Sequence, residues 1–318
     1  MSGKRNWPAS LVSVFLLWSC GTASPSSTVT VQADRFADAE WSDPVNLGPV
    51  VNSSAAEASA ALSPDEHTLY FISNRPGGLG GNDVWASHRR CKTCEWETPY
   101  NLGAPINSAA AEGAPTLSGD GRMLFFFTTR ADGFGNADIY VSHRVSTGGD
   151  GDVWGDPVNL GPDVNTAVTE NGTYYTREGG VGNAFLYFNR LSGGNLDIYR
   201  AELSNDGVPI GPAVAVSELN DPVAADQKVT VRTDGLELFL SSNRAGSFGN
   251  FDIWRSTRQT AQEPWSTPAH IGSPLNTSYV DSQPALSRDG QTLIFTSNRL
   301  GGLGNNDLWM STRKPGNR

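Results

Sequence analysis

The stretch Ser297-Asn298-Arg299-Leu300-Gly301-Gly302-Leu303-Gly304-Asn305-Asn306-Asp307-Leu308-Trp309 follows the apolar run Leu293-Ile294-Phe295 and reads as strand, glycine-rich turn, strand. The chain repeats this phrase. Asn74-Arg75 leads to Asp83-Val84-Trp85, and Thr129-Arg130 leads to Asp138-Ile139-Tyr140. Asn189-Arg190 leads to Asp197-Ile198-Tyr199, and Asn243-Arg244 to Asp252-Ile253-Trp254. The aspartates are spaced 55 to 59 residues apart. A fixed period of that size is the mark of a repeat architecture.

Other landmarks keep the same period. Trp-x-x-Pro opens the units at Trp41/Pro44, Trp96/Pro99, Trp154/Pro157 and Trp265/Pro268, while Pro209/Pro212 opens the fourth. Eight residues after the second landmark stands an asparagine: Asn52, Asn107, Asn165, Asn220 and Asn276. An acid follows each one, as Glu57, Glu112, Glu170, Asp226 and Asp281. Then come a strand of small residues, a turn such as Asp120-Gly121 or Asp289-Gly290, and an apolar strand such as Leu124-Phe125-Phe126-Phe127. Glycine supplies the positive φ of tight hairpins. A strand apolar on both faces is one sandwiched between two neighbours. Four short antiparallel strands per unit, arranged radially, describe a β-propeller blade. The expected fold is therefore all-β, a five-bladed propeller. No fifth Trp-x-x-Pro follows Trp309, so the N-terminal strand at Trp41–Gly48 is expected to close the ring as the outer strand of the last blade. An open stack would leave sheet edges unpaired.

The pattern Leu-Ser-x-Asp-Gly, apolar strand, Ser-Asn-Arg, Gly-Gly-x-Gly and Asp-Ile-Trp resembles the PD40 (WD40-like, TolB-like) propeller repeat of bacterial envelope proteins, over roughly residues 41 to 313. The resemblance implies a non-catalytic binding or scaffolding propeller whose partners are envelope proteins or peptides. OmpA-like domains that often accompany such repeats find no counterpart here, so cell-wall anchoring is not carried over.

The N-terminus reads as an address. Lys4 and Arg5 precede an apolar segment from Trp7 to Trp18, too short to span a bilayer, which ends Leu17-Trp18-Ser19-Cys20-Gly21. This resembles a bacterial lipoprotein signal over residues 1–19, with Cys20 as the lipidated residue, although Trp18 departs from the small residue usual there. An ordinary secretory signal is the alternative. Gly21 in place of Asp then points to the outer membrane, with the domain facing the periplasm. Residues 20–40 read as a flexible tether, and residues 41–318 as the propeller. Formal charge is −10, and loss of Lys4 and Arg5 with the leader brings it to −12. An acidic chain of this kind argues against nucleic acid as a partner. A monomer held to the membrane through lipid alone is expected.

Candidate chemistry is sparse. The pairs Arg75/Asp83, Arg130/Asp138, Arg190/Asp197, Arg244/Asp252 and Arg299/Asp307 occur in every unit, so they read as scaffold, each pair bridging its glycine-rich turn. The glycine runs precede strands, and a phosphate loop needs a helix there. Glu57, Glu112, Glu170, Asp226 and Asp281 have two readings. They form an acidic ring at one channel mouth that holds Ca²⁺ or a basic peptide, or each caps its own blade through backbone N–H groups. No other cofactor is implied. Cys91 and Cys94 are expected to form a local disulfide in an exported protein, rather than a zinc or redox site. The histidines are scattered, and Thr147–Asp152 and Glu178–Asn183 read as irregular loops. The alternative function is a glycoside hydrolase or a calcium-dependent carbohydrate-binding propeller. A hydrolase would show non-equivalent acids converging in a deep pocket with aromatic platforms.

Overall fold

The computed structural model describes residues 1, 3, 36, 39–148, 151–178 and 184–315. Met1–Ala33 and Asp34–Arg318 are separate units. Cys20, together with all of the leader except Met1 and Gly3, lies outside the described residues, as do Gly149–Asp150 and Gly179–Asn183 of the two irregular loops.

Strand β1 (Val45–Asn46) and the single turn α1 (Gly48–Val51) lead into the first blade: β2 (Glu57–Leu62), β3 (Thr68–Ser73), β4 (Asp83–His88) and β5 (Tyr100–Asn101). The second blade holds β6 (Glu112–Leu117), β7 (Met123–Thr128) and β8 (Asp138–Gly148), with β9 (Gly151–Trp154) and β10 (Val158–Asn159) both paired to β8. The third is β11 (Glu170–Thr176), β12 (Ala184–Ser192), β13 (Asn195–Leu203) and β14 (Val214–Ala215). The fourth is β15 (Asp226–Val231), β16 (Glu237–Ser242), β17 (Asp252–Thr257) and β18 (Ala269–His270). In the fifth, β19 (Asp281–Leu286), β20 (Thr292–Ser297) and β21 (Asp307–Thr312) take β1 as their outer strand, with Val45 opposite Met310 and Asn46 opposite Trp309. The chain is a five-bladed propeller of antiparallel sheets closed by β1, the strand expected to complete the last blade.

Each interface between neighbouring blades has its own apolar cluster. Phe125 and Val141 of the second blade meet Leu186 and Phe188 of the third, and Val51, Leu69 and Phe71 meet Ile294 and Leu308 where the ring closes. This is why β3 and β16 are buried along their whole length. Both faces of the sheet are interior, and alternation disappears. The glycine loops complete the fit. A Cβ on Gly80 would lie 2.0 Å from the Ala110 carbonyl oxygen, and one on Gly304 would lie 1.7 Å from that of Ala55. These glycines let loop backbones of adjacent blades touch.

The Trp-x-x-Pro element has a specific partner. An arginine six residues after the repeat aspartate lies over each tryptophan ring: Arg89 over Trp96 at 4.2 Å, Arg144 over Trp154 at 4.9 Å, Arg258 over Trp265 at 3.9 Å and Arg313 over Trp41 at 4.6 Å. In the third blade Pro209 holds the tryptophan position and Leu203, bridged to it, holds that of the arginine, so both halves of the stack are replaced together. Phe36 falls in the stretch read as a tether. Phe36 is 1% exposed and lies under Arg232 and Arg313, because its ring covers two guanidinium faces at the junction of the fourth and fifth blades.

Trp41→Ala removes the closure stack with Arg313 and the edge contact with Phe239, and is expected to cost about 2–3 kcal/mol. Pro209→Ala, at the equivalent place without a stack, should cost under about 1 kcal/mol. Urea midpoints at unchanged m-value measure both.

Candidate functional site

The five acids of the proposed ring each begin an innermost strand, and all five are fully buried. Each accepts a backbone N–H from its own blade: Glu57 from Ser53 at 2.7 Å, Glu112 from Ser108 at 3.1 Å, Glu170 from Thr166 at 3.0 Å, Asp226 from Asp221 at 2.5 Å and Asp281 from Thr277 at 2.7 Å. Each is also paired with the repeat arginine. Arg75 reaches Glu57 at 2.9 Å, Arg130 reaches Glu112 at 3.5 Å, Arg190 reaches Glu170 at 2.8 Å and Arg299 reaches Asp281 at 2.6 Å, while Arg244 contacts Asp226. Among the described residues no group of three or more His, Cys, Asp or Glu side chains is placed to hold a metal ion.

The expected arginine–aspartate bridges across the glycine turns are therefore not formed. Arg75, Arg130, Arg190, Arg244 and Arg299 turn back to the first-strand acid. Each lies over the aromatic ring two residues beyond its aspartate, as Arg75 does over Trp85 at 5.3 Å and Arg190 over Tyr199 at 4.4 Å. The aspartates serve the glycine loops instead. Asp83 accepts from Leu79 N–H at 2.5 Å, Asp138 from Gly135 N–H at 3.1 Å, Asp252 from Phe248 N–H at 2.5 Å and Asp307 from Leu303 N–H at 2.6 Å. Loop amides have no strand partner, so a carboxylate is the acceptor that satisfies them. Asp197 departs, because β12 and β13 meet in the short Gly193-Gly194 turn. The repeated asparagine is a peptide mimic. Asn107 accepts from Val84 N–H at 2.8 Å and donates to the Val84 carbonyl at 2.8 Å, and Asn276 treats Ile253 likewise. Cys91 and Cys94 form the expected disulfide.

The cavity lies toward the other end of the innermost strands. It has a volume of about 490 Å³ and is lined by β2, β6, β11, β15 and β19 together with the hairpin turns that follow them. A bulge shapes it. The third residue of each innermost strand has positive φ: Ser59 at 51°, Ala114 at 47°, Gly172 at 66°, Lys228 at 44° and Gln283 at 54°. Bulges re-aim side chains next to sites, and left-handed backbone costs a non-glycine residue roughly 1–2 kcal/mol. Four of these five positions carry that cost.

Lys228 stands out. It lines the cavity at 3% exposure, and its ammonium donates to the Thr173 carbonyl at 2.9 Å. Burial alone lowers its pKa to about 7. Around it the cavity offers Tyr174, Tyr175, Arg177, Asn205 and Asp120. Burial raises the Asp120 carboxyl, but the Ser118 hydroxyl and the Arg122 backbone N–H outweigh it and leave the pKa below its ordinary value. The signal for Lys228 was present in the repeat: Ser59, Ala114, Gly172 and Gln283 are small or neutral where this one unit has a cation. A second cleft of about 650 Å³, between the third and fourth blades, is bordered by the Glu178–Arg258 ion pair and by Trp265. It draws on two blades, whereas the axial cavity draws on all five.

No family model and no curated protein matches the chain. Among solved structures it is similar to a thermostable family-43 glycoside hydrolase, with TM-score 0.57 and 14% identity over 85% of this chain and 92% of that one. An exo-1,5-α-L-arabinanase from a bovine ruminal metagenomic library gives TM-score 0.57 and 11% identity, covering 84% of this chain and 100% of that one. An α-L-arabinofuranosidase from Podospora anserina, in complex with cellotriose, gives 0.53 and 13%, covering 84% and 95%. At these identities the likeness is one of fold. It corrects the resemblance drawn from the repeat. The neighbours are glycoside hydrolase propellers, not PD40, WD40-like or TolB-like proteins, and no family model supports the latter. The expectation of a non-catalytic protein-binding scaffold falls with it. Short strand and turn motifs follow from the demands of a radial sheet, so they report architecture more than descent.

Arg244→Met strands a fully buried Asp226 and is expected to destabilise by about 3–5 kcal/mol, with Asp226→Asn in the same chain recovering part of the loss in urea melts. Lys228 sets a pH dependence. With its folded pKa at about 7 and its ordinary value at 10.5, the folded chain binds fewer protons than the unfolded chain between those limits. The buried lysine thus lowers stability in full below about 7, and the loss is recovered as pH rises toward 10.5. Lys228→Met should stabilise by a few kcal/mol at pH 6, on the order expected for a shift of this size, with the gain shrinking toward zero near pH 10.5 in thermal melts.

Proposed function

We propose that this protein is a carbohydrate-active propeller of the glycoside hydrolase kind, which takes the end of a short glycan into the axial cavity. The observation that carries this reading is the make-up of the cavity. Its volume of about 490 Å³ falls within the roughly 300–1,000 Å³ of small-molecule sites. A sugar ring presents apolar C–H faces and a rim of hydroxyls, so its site needs aromatic surface beside hydrogen-bonding groups. Tyr174, half-buried with its hydroxyl on the Val231 carbonyl, borders the cavity as the first, while Tyr175 stacks on Phe125 behind it; Ser118, Thr176, Asn205 and Arg177 supply the second. The fold shared with arabinan- and arabinoside-cleaving enzymes supports pentose glycans as the first to try.

Cleavage of a glycosidic bond requires a carboxylate that attacks the anomeric carbon or activates water, with a proton donor to the leaving oxygen. Asp120 is the carboxylate residue in the described lining, and its lowered pKa keeps it ionised at neutral pH. This suits it to the first role. The Ser118 and Arg122 hydrogen bonds, at 2.5 Å and 3.0 Å, hold it in its turn as the matching bonds hold Asp65 and Asp289 in theirs. Asp120 is thus distinguished by lining the cavity, and the described lining holds no second acid to protonate the leaving oxygen. The leader adds a place of work: acylation at Cys20 would hold the cavity at the outer membrane, on its periplasmic side.

Calorimetric titration with xylo- and arabino-oligosaccharides should give dissociation constants of roughly 1 μM to 1 mM. Asn205→Ala should weaken binding about three- to tenfold through the loss of one hydrogen bond. Release of nitrophenol from aryl arabinofuranosides and xylosides should disappear in Asp120→Asn. Binding without release would reduce the reading to glycan recognition, and absence of binding across the panel would remove it.

A further inference from the structure

We propose that the axial cavity selects an acidic glycan, one whose terminal sugar carries a carboxylate, with Lys228 as the counter-charge at depth. This rests on the reading of the cavity as a glycan site and names its substrate class. Three observations carry it.

The first is the position of the lysine. The repeat does not need a cation there, since Ser59, Ala114, Gly172 and Gln283 make the same bulge in the other blades. Lys228 combines left-handed backbone with a charge removed from water, two penalties at one residue. A charge placed where the repeat elsewhere makes do with neutral residues is expected where a site is being made.

The second is its incomplete satisfaction. An ammonium has three N–H donors. Among the described residues, the Thr173 carbonyl at 2.9 Å is its hydrogen-bond acceptor. Among the described residues no carboxylate forms an ion pair with it, and burial lowers its proton affinity. A carboxylate arriving with the ligand would form that pair and favour the charged form.

The third is the balance of the lining. Its described residues include Arg177, Lys228 and Arg288 against Asp120, a cationic cavity in a chain of formal charge −10. Asp120 is already engaged by Ser118 and Arg122 in its turn. Arg177 donates to Asn205 at 2.9 Å, which fixes one guanidinium at the mouth. Low-dielectric walls focus such a field on an incoming anion.

The test compares three ligands on wild-type protein and on Lys228→Met: digalacturonate, its methyl ester and a neutral xylo-oligosaccharide of similar length, with acetate as a control anion. Digalacturonate should bind at least tenfold more tightly than its methyl ester. Lys228→Met should erase that difference while still binding the neutral glycan, and it should melt no lower than wild type. Lys228→Arg, which keeps the charge, should retain part of the preference. Equal binding of acid and ester, or undiminished binding of the acid by Lys228→Met, overturns the proposal and leaves glycan recognition standing. Acetate competing as well as digalacturonate would mean a simple anion site, which also overturns it. If no glycan binds at all, acidic or neutral, the functional reading itself fails and this proposal goes with it.

Discussion

Five carboxylates removed from water are the constraint around which this ring is built. A buried ion of this kind is tolerable only with a partner and with its remaining lone pairs filled. Here the partner is an arginine from the second strand, and a backbone N–H from the same blade fills the rest. The arginine is itself fixed three ways, by the acid, by an aromatic face and by a carbonyl on the approach to the blade, as Arg75 is by Glu57, Trp85 and Val51. Strands one, two and three of a blade are thereby tied at one end. The asparagine then ties the third strand to the chain entering the next blade. Because this knot recurs with little change, the opposite ends of the innermost strands are left to vary, and the cavity opens there.

Much of this was legible in the amino-acid order. Period, strand content and closure by the first strand all follow from spacing, since a radial sheet imposes the same turn residues on every unit. Contact partners were harder to read. Arg75 has Asp83 eight residues ahead and Glu57 eighteen behind, and the nearer acid looks like the natural mate. Only in three dimensions do the loop amides claim Asp83 and leave the arginine to Glu57. The acid recurring at the start of each innermost strand likewise drew attention to a channel mouth, whereas in the structure each is buried against an arginine and a backbone N–H of its own blade, as the capping alternative had it. The cavity end was signalled by a single irregularity, Lys228 among Ser59, Ala114, Gly172 and Gln283, which periodicity treats as noise.

Departures from symmetry gather on the third and fourth blades. The third lacks the arginine–tryptophan stack, has a two-glycine turn in place of the long loop, and contributes Tyr174, Tyr175 and Arg177 to the cavity. The fourth contributes Lys228, whose backbone N–H is held by Asn189 of the third at 2.8 Å. Regular blades supply rigidity, and the irregular pair supplies chemistry. A ring divides these tasks readily, because each sheet contacts only its two neighbours and can diverge without disturbing the rest.

The clasp between β1 and β21 also has a temporal meaning. Ser42 and Ser311 hydrogen-bond across 269 positions of chain, so the last sheet cannot be finished until the C-terminal strand is present. Contacts so remote in sequence form slowly, after the loop-closure entropy between them has been met. During synthesis the growing polypeptide is thus an arc with one unmated sheet, and maturity arrives in a single late event. A protein organised in this way stays an open arc until β21 emerges to meet β1, and only then is the ring complete.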